Sequence, residues 1–198
     1  MSDHPFGMFK HYIASDRVMK DIGEEILFDN DRETVALMAR IRNRSGKICY
    51  LDWNPTHWRT FVDLLINDLK VNVVMIGIQR KEGSSAGGSL SFENSKNLKS
   101  IIFDGEDSVE EQIALLKQTK CSIYGASGTA VFPFFTKTPT FTQQTVEEGF
   151  RLKFQWEKDL TDNLKNVEIF DKYHNNDIYE SPPTELYEEF KKFFKKLG

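Results

Sequence analysis

Residues 119–142 read TKCSIYGASGTAVFPFFTKTPTFT, and the fold turns on how this stretch is read. The run 121–124 (CSIY) is short and largely apolar, as in a strand covered on both faces. Gly125, Ala126, Ser127 and Gly128 follow, and the chain continues as a short helix through Ala130, Val131 and Phe134. A buried strand feeding a small-residue turn and then a helix start is how α/β proteins build an anion pocket. The first amides of a helix have no partner within it, so they and the helix dipole favour phosphate oxygens. Gly125 and Gly128 let a ligand approach the backbone closely. Taken alone, the stretch reads equally well as a strand-to-helix turn capped by Ser127. The flanking chain has to decide.

Upstream, 35–39 (VALMA) and 71–78 (VNVVMIGI) are continuous apolar runs, and 98–103 is a further short strand. Between the first two, Asn54-Pro55 opens a helix whose Trp58, Phe61, Val62, Leu65 and Leu69 form one apolar stripe. Asp107 or Ser108 caps the next helix, with Glu111 at the capping-box position and Val109, Ile113 and Leu116 facing inward. Downstream, strands are expected at 139–141 and 167–170, separated by a helix carrying Val146, Phe150 and Phe154. Ser181-Pro182-Pro183 then starts a terminal helix striped by Leu186, Phe190, Phe193, Phe194 and Leu197. Strands alternating with helices over short connections imply right-handed crossovers. The expected fold is α/β: a single doubly wound, mostly parallel Rossmann-like sheet with helices on both faces. It occupies 32–198. Residues 1–31 have no clean period and read as an N-terminal arm or connection: either an ordered arm or short helix packed on the domain, or the remnant of a link to something upstream.

Composition narrows the function. A net charge of −4 gives no protein-wide footprint for nucleic acid. Cys49 and Cys121 sit in apolar runs and read as buried thiols of a reducing compartment. His4, His11, His57 and His174 lack ligand spacing, so no metal site is expected. No apolar run reaches the ~18 residues that suggest a bilayer span, and no signal peptide is evident, which points to the cytoplasm.

Ligands of doubly wound sheets bind at the carboxyl ends of the strands. Two such ends are informative here. One is the basic turn 40–47 (RIRNRSGK), with Arg40 and Lys47; the other is the small-residue turn 125–129. Together they suit a diphosphate. The Gly- and Ser-rich segment 79–90 matches neither a P-loop nor a dinucleotide glycine motif and reads as a mobile surface loop.

The strand ending in arginine (VALMARIRNR), the helix opened by NPTHW, the VNVVMIGIQ strand and the run DSVEEQIALLKQTKCSIYGASGTAVFPFFTKTPTF together resemble a known family. They are similar to the C-terminal, donor-binding half of GT-B glycosyltransferases of the heptosyltransferase and fucosyltransferase-like kind. The signposts are Ser108, Glu111, residues 114–116, Ser127-Gly128 and Thr138-Pro139, and the resemblance covers roughly residues 34–160. It implies a nucleotide-sugar donor as substrate, no separate cofactor and metal-independent transfer. By the same resemblance Ser127, Gly128 and Thr129 hold the donor diphosphate, and Arg40 and Lys47 neutralise it. Glu147 or Glu148 meets the donor ribose or sugar. The catalytic base is not identified. It belongs to an acceptor-binding half that this chain does not match, so a missing N-terminal domain is an expected partner.

Two other readings stay open. A non-catalytic α/β module that binds a nucleotide or a protein shares every fold-level feature. A sugar-nucleotide epimerase half does as well. A serine hydrolase is disfavoured, because its nucleophile elbow needs a glycine where Thr129 stands.

Overall fold

The computed structural model describes residues 13–41, 43–44, 47–48, 53–77, 88–103, 108–124, 132–143, 167–170 and 182–198. The chain opens with α1 (Asp16–Glu25) and β1 (Thr34–Met38). Three two-residue strands follow: β2 (Arg40–Ile41), β3 (Asn43–Arg44) and β4 (Lys47–Ile48). Next come α2 (Pro55–Asn67), β5 (Asn72–Gly77), β6 (Gly88–Ser89), β7 (Leu98–Ile102) and α3 (Ser108–Lys117). The remainder is β8 (Cys121–Tyr124), α4 (Phe132–Thr136), β9 (Thr140–Gln143), β10 (Val167–Phe170) and α5 (Pro183–Lys196).

Six strands form one sheet in the order β10-β9-β8-β1-β5-β7, and every pairing in it is parallel. Counted along the chain, that is third, second, first, fourth, fifth, sixth from the β7 edge. This is the Rossmann order, and the direction of winding reverses between β1 and β8. Four consecutive residues of β1 and all of β5 and β8 are buried, which is why those runs are apolar without alternation.

Side chains of β1 divide between two cores. Val35 and Leu37 join Val73, Met75, Ile123 and Phe141 under α2 and α5, whose Trp58, Phe61, Phe190 and Phe193 fill that layer. Ala36 and Met38 face α1 and α3 with Val74, Ile76, Tyr124, Val18, Ile22, Ile113 and Leu115. The start of α2 is as expected: Asn54 Oδ1 accepts from the Thr56 amide at 2.9 Å, and Pro55 occupies the first turn. Residues 112–116 of α3 are all buried, a wider surface than one stripe, since α3 lies between the sheet, α1 and α4.

Two local expectations need revising. Segment 40–47 is not a single turn. Arg40 and Ile41 pair antiparallel with Ser89 and Gly88, and Asn43–Arg44 pairs with Lys47–Ile48 as a hairpin. The end of the 79–90 segment is therefore strand, because its backbone groups find partners in β2; the Leu90 amide also donates to Ala39 O at 2.6 Å. The arm contains α1, whose Val18 and Ile22 are one helical turn apart and buried. Charge on the rest of that helix, and Gly23 within it, obscured the period. Residues 146, 150 and 154 and their expected helix lie outside the described residues.

Candidate functional site

Parallel register puts Met38 of β1 beside Tyr124 of β8, so the two strands end side by side. Neighbouring strands run ~4.8 Å apart, and that spacing separates the two exits. From one exit the chain passes through Ala39 to Arg40; from the other it passes to Gly125. The winding reverses at this place, and in doubly wound sheets that is where ligands bind.

Arg40 lies two residues beyond the end of β1, its backbone paired to Ser89. Lys47 belongs to the β3–β4 hairpin, paired to Arg44 rather than to the β2–β6 ribbon. Ser127, Gly128, Thr129, Glu147 and Glu148 lie outside the described residues.

The first turns of α2 and α3 border the same edge. There the packing leaves polar atoms unpaired. Among the described residues His57 Nδ1, Trp58 Nε1, Gln112 Oε1 and Tyr124 Oη are all buried without a hydrogen-bond partner. Each belongs to an early turn of α2 or α3, or to the last residue of β8. Unpaired buried polar atoms are costly and rare, and four of them share one edge. Trp53 stacks edge-on against His57 and Trp58, with centroids 5.5 and 4.8 Å apart, and so fixes the start of α2. Burial alone pushes the Tyr124 phenol well above the ordinary range, so it is a neutral hydroxyl at any working pH. Sequence reading missed Gln112 and Tyr124: a glutamine in a helical stripe and a tyrosine closing an apolar run carry no signal of an empty partner.

Cys121 is a free thiol at the start of β8, buried, and desolvation raises its pKa far above the nucleophilic range. Cys49, His4, His11 and His174 are outside the described residues. Among the described residues no group of three or more His, Cys, Asp or Glu could hold a metal ion. No described helix is long and apolar enough to cross a membrane.

With this geometry in hand, the chain can be set against known proteins. No protein-family model matches the sequence, and no curated protein sequence does. Among solved structures, that of E. coli ADP-heptose lps heptosyltransferase II is similar, with a TM-score of 0.58 and 12% sequence identity. The match covers 92% of this chain and 52% of that one. The fold is shared. At this identity the likeness establishes the Rossmann-like fold alone and nothing about function or individual residues. The chain spans about half the length of the heptosyltransferase.

Proposed function

We propose that this chain is the donor-binding half of a GT-B glycosyltransferase, taking a nucleotide-activated sugar and transferring its glycosyl group without a metal. One observation carries the reading: the β1 and β8 exits stand side by side where the sheet reverses, and Arg40 and the Gly-Ala-Ser-Gly-Thr run are the residues that follow them. The unpaired polar atoms along the same edge agree with a polar ligand there. The similar structure is named for ADP-heptose, a nucleoside diphosphate sugar, which suits a diphosphate crevice.

In this proposal the amides of Ser127, Gly128 and Thr129 receive the diphosphate, and Arg40 and Lys47 supply positive charge. Their chemical role is to stabilise the leaving group. As the glycosidic bond breaks, negative charge grows on the departing nucleoside diphosphate, and donors already aimed at it lower the barrier without reorganising. Glu147 or Glu148 bonds the donor ribose or sugar hydroxyls. A cytoplasmic location goes with the same reading.

Calorimetry with a panel of nucleoside diphosphates and their sugars tests it. Gly128→Val should abolish binding by blocking approach to the backbone while circular dichroism stays unchanged. Arg40→Ala should weaken diphosphate binding by about 1.5–3 kcal/mol, the range for hydrogen bonds to charged groups, and barely affect the bare nucleoside. Unchanged affinity in both variants would sink the site. Binding of diphosphates with no preference for the sugar-linked form would favour a non-catalytic module instead.

A further inference from the structure

The opposite, amino edge of the sheet carries a second feature. A cleft of about 260 Å³ opens between the end of α1 and the starts of β1 and β5. Drug-sized pockets run about 300–1,000 Å³, so this one suits a smaller molecule. Its chemistry is divided. Ile26, Leu27 and Phe28 form an apolar side, and Asn30, Arg32 and Asn72 a polar one.

Among Asn30, Arg32 and Asn72 the side-chain acceptors are used and donors are left over, while Gln118 Nε2, also lining the cleft, donates to Met19 O and Ala114 O. Asn30 Oδ1 accepts from the Arg32 amide at 3.1 Å and from Asn72 Nδ2 at 3.0 Å, which fixes the orientation of its amide. Asn72 Nδ2 also donates to Arg32 O, and Asn72 Oδ1 accepts from Asn97 Nδ2 at 2.7 Å. Asn30 Nδ2 is buried and has no partner among the described residues. The Arg32 guanidinium gives one hydrogen bond, from Nη1 to Ile66 O at 3.2 Å, and has no carboxylate beside it among the described residues. A guanidinium has five N–H donors in a fork matched to a carboxylate. On the apolar side Leu27 is 69% exposed, a large hydrophobic side chain left open at the rim.

We infer that this cleft is a binding site for a small organic carboxylate with an apolar body. The carboxylate oxygens accept from Arg32 and Asn30 Nδ2, and the body covers Leu27 and packs beside Phe28. Charge-assisted bonds of this kind are the strong ones, and covering Leu27 removes apolar surface from water. The site is on the far edge of the sheet from the diphosphate crevice and does not depend on what binds there.

Phenylacetate serves as the probe, with phenylacetamide as its uncharged isostere and inorganic phosphate as charge without a body. Calorimetry on the full chain should show one phenylacetate bound in the millimolar range. The amide and phosphate should bind at least about tenfold more weakly, the step expected for one lost charged hydrogen bond. Arg32→Gln should erase the preference for acid over amide. Leu27→Ala alters an exposed position, so the fold is retained, and it should weaken phenylacetate several-fold. Equal affinity for acid and amide, a preference that survives Arg32→Gln, indifference to Leu27→Ala, or no binding in the millimolar range would each overturn the inference.

Discussion

Tyr187, Asp68 and Lys191 tie α5 to the end of α2. The Tyr187 hydroxyl and Lys191 Nζ both donate to Asp68 Oδ2, the lysine at 2.9 Å, and Lys191 also lies 5.2 Å from the centre of the Tyr187 ring. The hydrogen bond from Tyr187, followed by that from Lys191, holds the Asp68 carboxyl below the usual carboxylate range. Burial, then the bond to Asp68, pushes the Tyr187 phenol up to about 12, and Asp68 likewise raises Lys191. The signs follow from linkage. Asp68 is depressed on folding, so its contribution is present above the ordinary carboxylate value and fades as pH falls through the folded one. Tyr187 and Lys191 are raised, so theirs is complete below their ordinary values and is lost as pH climbs toward about 12. Urea denaturation across pH should therefore show stability falling at both ends. Asp68→Asn should flatten the acid limb and lower the Tyr187 phenol part of the way in an ultraviolet titration, since burial remains. A variant whose alkaline limb and phenol titration match the parent would show that the cluster does not act as a unit.

Among the elements, α1 is held in place at both ends of α3. The Ser15 amide and Oγ both donate to Glu110 Oε1 at 2.7 Å near the start of α3, while Gln118 Nε2 donates to Met19 O at 2.9 Å near its end. Two glycines show what limits the packing of such elements. At Gly77, closing β5, a Cβ would lie 2.9 Å from Ile101 O and 3.3 Å from Ile102 Cα, and strand backbone cannot move aside. At Gly23, within α1, a Cβ would meet Gln118 Oε1 at 2.6 Å, the far end of a flexible side chain. Gly77→Ala should cost about 1–3 kcal/mol through overpacking. Gly23→Ala should be close to neutral, since alanine favours the helix by about 0.5–1 kcal/mol and offsets the displaced glutamine. Thermal denaturation of the two variants checks the contrast. A Gly77→Ala protein as stable as the parent would mean that the β5–β7 edge yields more readily than its geometry implies.

For the molecule as a whole, the proposal predicts binding without turnover. The six strands of the main sheet make one Rossmann-like unit, and the chain corresponds to about half of the heptosyltransferase. Displacement at an anomeric carbon needs an acceptor hydroxyl held in line and a base within hydrogen-bond reach. In the proposed enzyme both come from an opposing half. Positioning of that kind lowers barriers by about 7–11 kcal/mol, so the chain by itself should bind labelled nucleotide sugars and transfer nothing to an acceptor panel. Sustained transfer that Gly128→Val abolishes would show that 198 residues suffice.

Residue order alone specified the six strands of the main sheet and helices α2, α3 and α5, since burial is written locally. A strand covered on both faces, such as β5, must be apolar at every position, and a helix covered on one side, such as α2, at every third or fourth. The parallel α/β class and the pointers to Arg40 and the 125–129 turn follow from that alternation. That β1 and β8, far apart in the chain, are neighbours emerges on folding, because strand order is settled by which faces pack together and leaves no local trace. For the same reason the unpaired Gln112 and Tyr124, and the cleft that gathers Leu27, Asn30, Arg32 and Asn72, could not be read in advance. A hydrogen bond left unmade is a property of the assembled neighbourhood, and residue order does not encode it until the chain has folded.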